Sequence, residues 1–113
     1  MEETIHRYLE MSDAELYSEL AATIEGGYAA TPDPEEREVI GARYFASILP
    51  RIRDIVCGSQ VARSFVESND HFAIASAVAV LIASSFQLPS TVATLSVLVA
   101  RMSLRELCKE DDT

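Results

Sequence analysis

Residues 72–100 read FAIASAVAVLIASSFQLPSTVATLSVLVA and carry no acidic or basic side chain. A helix that is apolar on every face is either buried in a protein or placed in a membrane. Pro89 divides the stretch, because proline ends or kinks a helix. Small residues recur at helical spacing on both sides of this turn, which lets two helices approach closely. The stretch therefore predicts a buried apolar C-terminal helical hairpin within residues 70–110.

The rest of the chain also has helical periodicity. Residues typical of helix N-caps stand at four places, namely Ser12, Asp33, Ser59 and the break Ser68-Asn69-Asp70. Glu15 completes a capping box with the first of them, and Gly26-Gly27 predicts the end of that helix. Pro50 leaves open whether the helix after Asp33 is one kinked helix or two. The last helix is predicted to run from Ser90 or Thr91 to Cys108.

No segment shows the alternating pattern of a strand, and no fixed repeat is present. The chain has 113 residues, which is one domain's worth and long enough to bury a core without disulfide or metal. We therefore predict an all-α, single-domain bundle of five or six helices over residues 1–113. Along the chain we distinguish acidic helices (1–40), Arg-bearing helices (41–68), the apolar hairpin (70–110) and a frayed tail (110–113).

The net charge of −9 is unevenly distributed. Residues 1–40 hold eleven acids and two bases, giving −9, whereas residues 41–113 hold seven of each, giving zero. Eight of the nine bases are arginine, the residue that forms bidentate contacts with carboxylates. Nucleic-acid binding needs a basic surface, so we expect no nucleic-acid partner. Arg101, Arg105 and Lys109 follow one another at intervals of four and predict a solvated basic face.

The sequence offers no pattern for catalysis, metal or cofactor binding. His6 and His71 lack a second ligand at zinc spacing, and no CxxC or HxxxH motif occurs. Glycine-rich phosphate loops are absent as well. We therefore predict no catalytic residue, no cofactor, no metal and no small-molecule substrate, which makes an enzyme the less favoured class.

The two cysteines are expected to be unpaired. Cys57 and Cys108 lie far apart in the sequence, and residues 1–20 have neither the basic start nor the apolar core of a secretory signal. Thiols stay reduced in the cytoplasm. We accordingly predict a cytoplasmic protein with buried thiols.

The separation of charge favours a protein–protein interaction module, an adaptor or a subunit of a larger assembly. Complementary charges orient a partner and speed its association. In this hypothesis the acidic helices face an Arg-bearing partner and the arginines face an acidic one. The partner is either a different protein or another copy of this chain, which makes a homodimer plausible. The predicted contact residues are Glu15, Glu19, Glu35, Glu36, Arg43, Arg51 and Arg53.

A membrane-interacting helical hairpin is the first alternative. Residues 72–88 are seventeen uncharged residues, near the lower limit for a membrane-spanning helix. Many of them are Ala or Ser, which favour insertion weakly, and Pro89 breaks the continuation. A buried hairpin explains the pattern better, so we do not expect a membrane partner.

A degenerate helix-turn-helix regulator is the second alternative. Residues 83–92 resemble the turn of helix-turn-helix DNA-binding proteins over about a dozen positions. Gln87 stands where glycine is usual, and residues 93–100 lack the Arg, Lys, Asn or Gln that reads a base edge. The resemblance implies a DNA-binding regulator, but the net negative charge of the chain is unfavourable for binding DNA.

Overall fold

Helix accounts for most of the residues that the computed structural model describes, which are 2–24, 33–86 and 88–109. No strand occurs in these three ranges, so the predicted all-α class is confirmed. The predictions for Gly26-Gly27 and for the tail at 110–113 lie outside the described residues. The described ranges hold seven helices, namely α1 (Glu2–Leu9), α2 (Asp13–Ile24), α3 (Pro34–Cys57), α4 (Gln60–Arg63), α5 (His71–Ile82), α6 (Pro89–Met102) and α7 (Leu104–Leu107).

The helix starts follow from local capping chemistry, as predicted. The Ser12 amide donates to Glu15 Oε1 at 2.8 Å, and the Glu15 amide donates back to Ser12 Oγ at 3.1 Å. Asp33 caps α3, with Pro34 at its first position. Ser59 and Asp70 likewise accept from main-chain amides of α4 and α5. These caps confirm the predicted N-termini of four helices.

Pro50 lies inside a single helix, α3, which settles the alternative that the sequence left open. The Ser47 hydroxyl donates to the Tyr44 carbonyl at 2.7 Å and does not cap a second helix. Helix α3 ends at Cys57, and Gly58 is its C-cap.

Helix α6 is the centre of the fold. All ten residues from Thr91 to Ala100 are buried, and α6 packs against α1, α2, α5 and α7. The Thr94 hydroxyl lies in this interior and donates to the Ser90 carbonyl at 2.7 Å, which satisfies it within its own helix. The radius of gyration is 13.6 Å, close to the roughly 13 Å of a compact chain of about this length.

Helix α5 is buried on one side only. Ile74, Val78 and Ile82 lie in the core, and α5 packs against α6. Val80 is 78% exposed, although the sequence predicts a helix without a solvent face. The burial expected of the 72–100 stretch is therefore complete from Thr91 to Ala100 and partial in α5.

The seventh helix exists because the last predicted helix is interrupted. Ser103 has φ 79° and ψ 149°, which ends α6 at Met102. The chain then turns and forms α7, which buries Leu104 and Leu107. The interruption divides the one predicted helix into two, α6 and α7. Helix α7 ends at Leu107, just before the predicted end at Cys108.

A glycine brings α2 and α3 into close contact. Gly41 is buried on α3, and a Cβ built on it would fall on the main-chain carbonyl of Tyr17 in α2. Only a residue without a side chain allows two helix backbones this near to each other. The packing of α2 on α3 therefore depends on Gly41.

Arg101 joins α6 to the junction between α1 and α2. Its Nη1 atom donates to Asp13 Oδ1 at 2.8 Å, and Nη2 donates to the Leu9 carbonyl at 2.8 Å. The same Nη2 also donates to the Met11 carbonyl. One guanidinium thus satisfies two main-chain acceptors and one carboxylate.

The prediction of a solvated basic face is wrong for Arg101, whose side chain is only 24% exposed. Arg105 fits that prediction better, because its side chain is 65% exposed and pairs at 2.5 Å with Glu67, which is still more exposed. The difference arises because Arg101 faces the α1–α2 junction, whereas Arg105 follows the turn at Ser103.

Candidate interaction site

A groove of about 350 Å³ lies between α2 and the start of α3. Three predicted contact residues, Glu15, Glu19 and Glu35, are among its walls, and Glu38 joins them. Arg37 also borders it. Its apolar lining comes from Met11, Ala14, Ala22 and Pro34. We call this feature the acidic groove.

Hydrogen bonds fix two of these carboxylates. Glu15 is held by the capping box at the start of α2. Glu19 Oε2 accepts from the Tyr8 hydroxyl at 3.2 Å, which ties it to α1. Each carboxylate keeps a second oxygen available for other donors. The groove is thus a preformed set of acceptors over an apolar floor.

Glu36 is exposed and lies beside the acidic groove, not in it. It borders a neighbouring depression at the start of α3, together with Asp33, Glu35, Val39 and Ile40. Glu35 borders both features. The four predicted acids therefore form one continuous acidic surface.

The structure does not bring the three predicted arginines together. Arg51 Nη2 donates to the Ser85 carbonyl at 3.2 Å, and its guanidinium lies over the Phe86 ring at 5.0 Å. Arg53 Nε donates to the Leu107 carbonyl at 2.9 Å. Two residues apart on a helix means about 200° of rotation, so these side chains leave α3 on opposite sides. Arg43 is exposed on the same helix.

The prediction of unpaired cysteines is wrong. Cys57 at the end of α3 and Cys108 after α7 form a disulfide, with their Cα atoms 5.5 Å apart. This separation is typical of disulfides. The two cysteines are 51 positions apart, and the sequence between them carries no local signal for the pairing, which arises because the turn at Ser103 directs α7 toward α3.

Within the three described ranges, no group of three His, Cys, Asp or Glu side chains is placed to hold a metal ion. The His6 ring stacks on the Phe72 ring, with centroids 4.0 Å apart and planes 8° from parallel. His71 is exposed at the start of α5. The His6 ring is thus packed on an aromatic ring and not on another potential metal ligand.

Two further observations bear on the alternative functions. Among the described residues, every helix is too short or too polar to cross a bilayer. Residues 93–100 of α6, which would read DNA in a helix-turn-helix protein, are buried in the core. The geometry therefore gives the helix-turn-helix alternative no support.

Two tyrosines near the acidic groove have raised pKa values. Burial, followed by the negative charge of Glu19, raises the pKa of Tyr8 above its ordinary value. Burial, followed by the charges of Asp13 and Glu38, does the same to the pKa of Tyr17. Both side chains are thus held in the neutral form by their surroundings.

We expect the free energy of unfolding to fall as the pH rises above about 10, the ordinary tyrosine pKa. The unfolded chain then releases these protons first, so it binds fewer protons than the folded chain and stability declines with pH. Urea unfolding at about pH 9 and pH 11 measures this decline. In the Tyr8→Phe/Tyr17→Phe variant the decline should be smaller. An equal decline in the variant and the parent would contradict the assignment.

No protein-family model matches the chain, and no curated protein or solved structure is significantly similar to it. The class of protein therefore has to be argued from the fold and the acidic groove.

Proposed function

We propose that this protein is a small interaction module that binds a basic helical segment of a partner protein in the acidic groove. The observation that carries the proposal is the convergence of Glu15, Glu19 and Glu35 from two helices around one apolar floor. In this proposal α5 and α6 form the buried hairpin of a bundle on which the acidic helices are mounted. The module serves as an adaptor or as a subunit of a larger assembly.

The chemistry of the groove indicates the partner. Carboxylates on both walls favour arginine or lysine, and Arg forms paired hydrogen bonds with them. The floor of Met11, Ala14 and Ala22 favours an apolar stripe between those charges. A groove between two helices commonly accepts an amphipathic helix. A helix with a narrow apolar face flanked by bases meets both requirements.

A different protein fits the groove better than a second copy of this chain. Arg51 and Arg53 already donate to main-chain carbonyls of their own chain, and they lie on opposite sides of α3. They therefore offer no single basic face to the acidic groove of another molecule. Arg43 remains exposed and is a contact residue of this proposal for an acidic partner surface. The Cys57–Cys108 disulfide removes the argument from reduced thiols that led to the prediction of a cytoplasmic protein.

A pair of charge-neutral variants tests the proposal. The probe is a synthetic amphipathic peptide of about sixteen residues, with arginines flanking an alanine and leucine stripe. The groove variant is Glu15→Gln/Glu19→Gln/Glu35→Gln, in which glutamine keeps the capping box and the Tyr8 hydrogen bond. We expect it to bind the peptide about tenfold or more weakly, because rim charges each contribute a few tenths to about 1 kcal/mol. Calorimetric titration measures the affinities.

The control variant removes three negative charges from exposed positions outside the groove, at Asp54, Glu67 and Glu106. With Asn or Gln at these positions, the net charge equals that of the groove variant. We expect the control to bind within about twofold of the parent. Equal losses in both variants would show that the peptide senses only net charge and would refute the groove as the site. Light scattering at several concentrations shows whether the unliganded chain self-associates, which would favour a second copy as partner.

A further inference from the structure

The C-terminal segment 103–109 is attached at a few defined points. Helix α7 has only four residues and packs chiefly on the ends of α3 and α6. Leu104 and Leu107 are buried, and Arg53 donates to the Leu107 carbonyl at 2.9 Å. The Cys57–Cys108 disulfide adds a covalent bond between this segment and α3. An isolated helix of one turn does not persist in water, so α7 depends on these attachments.

The backbone conformation at the turn into this segment is energetically unfavourable, so it works against the docked position of α7. Ser103 has φ 79° and ψ 149°, a region that only glycine occupies readily. The Ser103 hydroxyl accepts from the Glu106 amide at 3.1 Å, so the side chain caps α7 while its backbone is strained. Such a conformation persists only where the surrounding contacts enforce it. The disulfide is the one covalent contact of this kind between the segment and the rest of the described chain.

The two residues joined by the disulfide are partly exposed. Both Cys57 and Cys108 are half-buried and belong to the rim of the core. They lie at the C-terminal end of α3, about 30 Å along the helix from the acidic groove at its N-terminal end. Reduction of this disulfide is therefore a local event that takes place away from the proposed peptide site.

We propose that the Cys57–Cys108 disulfide is a redox latch that holds α7 against α3, and that its reduction releases residues 103–109. A dithiol supplies the two electrons and two protons. One of its thiolates attacks a cystine sulfur and forms a mixed disulfide, and the second closes the reductant's own disulfide. Cys57 and Cys108 leave as two thiols. Ser103 then relaxes out of the positive-φ region, and Leu104 and Leu107 become exposed.

Hydrogen exchange of the full chain, with and without dithiothreitol, tests the latch. We expect the amides of residues 104–109 to exchange about tenfold or more faster after reduction, because local release exposes them. The amides of α5 and α6 should change by less than about twofold. Unchanged exchange at 104–109 in the reduced chain would overturn the proposal. Faster exchange throughout α5 and α6 would also overturn it, because the disulfide would then support the whole fold.

Three variants make the test specific. In the Cys57→Ser/Cys108→Ser variant, the amides of residues 104–109 are expected to exchange quickly without reductant. Their exchange rates should not change when dithiothreitol is added. A response of this variant to dithiothreitol would contradict the role of the disulfide. Ser103→Gly removes the strain of the turn but also the hydroxyl that caps α7, so its reference is Ser103→Ala, which loses the hydroxyl and keeps the strain. The reduced Ser103→Gly chain should exchange more slowly at 104–109 than the reduced Ser103→Ala chain. Equal rates would refute the contribution of the turn.

Discussion

Gly41→Ala is expected to lower the free energy of unfolding by about 2–3 kcal/mol. Alanine normally stabilises a helix interior over glycine by about 1 kcal/mol, so propensity alone predicts the opposite sign. At Gly41 the added Cβ would fall on the Tyr17 carbonyl, and that atom belongs to a helix backbone that cannot rotate away. Helices α2 and α3 must move apart to accept it. Urea unfolding monitored by circular dichroism measures the change.

Gly58→Ala is the matched control. An added Cβ at Gly58 would lie 3.5 Å from its nearest neighbour, the Asp54 carbonyl, which is ordinary van der Waals contact. Its φ of −82° suits any residue. We expect a change of less than about 0.5 kcal/mol. Equal stability of the two alanine variants would contradict the close approach of α2 and α3. Because these helices form the acidic groove, Gly41→Ala should also weaken peptide binding.

Arg101→Ala is expected to destabilise the protein by about 2–4 kcal/mol. The guanidinium serves the carbonyls of Leu9 and Met11 and the carboxylate of Asp13 from a half-buried position. Its removal leaves the partly buried carbonyls of Leu9 and Met11 without their donor, which costs free energy, whereas the exposed Asp13 carboxylate can be solvated by water. Arg101→Lys should fall between parent and alanine variant, since one ammonium cannot reproduce the planar fork. Urea unfolding measures both.

Arg105→Ala controls for the loss of a positive charge near the C-terminus. Its ion pair with Glu67 joins two exposed side chains, and such pairs contribute little. We expect a change of less than about 0.5 kcal/mol. If Arg101→Ala proved as mild as Arg105→Ala, the junction would not depend on Arg101.

The local features of this fold could be predicted from the sequence. Capping residues such as Ser12, Asp33 and Asp70 act within a few residues, so their pattern reveals the helix starts directly. The absence of charge from residues 72–100 likewise indicated a buried helix, α6, in which every residue from Thr91 to Ala100 is buried. These signals are read without knowing how the helices are arranged.

The long-range features could not be predicted in this way. Arg101 and Asp13 are 88 residues apart, and Cys57 and Cys108 are separated by 51. Both contacts depend on where the helices end, and the interruption at Ser103 has no clear sequence signal. The role of Gly41 likewise depends on the register of α3 against α2, which periodicity does not determine.

The candidate site was predicted in part. Blocks of like charge along the chain led to the acids that border the groove, but such blocks ignore which side of a helix a residue occupies. Glu15 and Glu19 are four apart and share a face, whereas Arg51 and Arg53 are two apart and do not. Helical spacing alone distinguishes these two cases. The sequence was therefore sufficient to predict that Arg51 and Arg53 lie on opposite sides of their helix.

The most direct test of the account is a map of where the basic amphipathic peptide contacts the protein. Amide chemical shifts of the isotope-labelled chain, recorded during titration with the peptide, provide this map. We predict that the largest changes fall on Met11, Ala14, Ala22 and the first turns of α3, around the acidic groove. Changes concentrated on α5, or spread evenly over the acidic surface, would contradict the groove as the binding site.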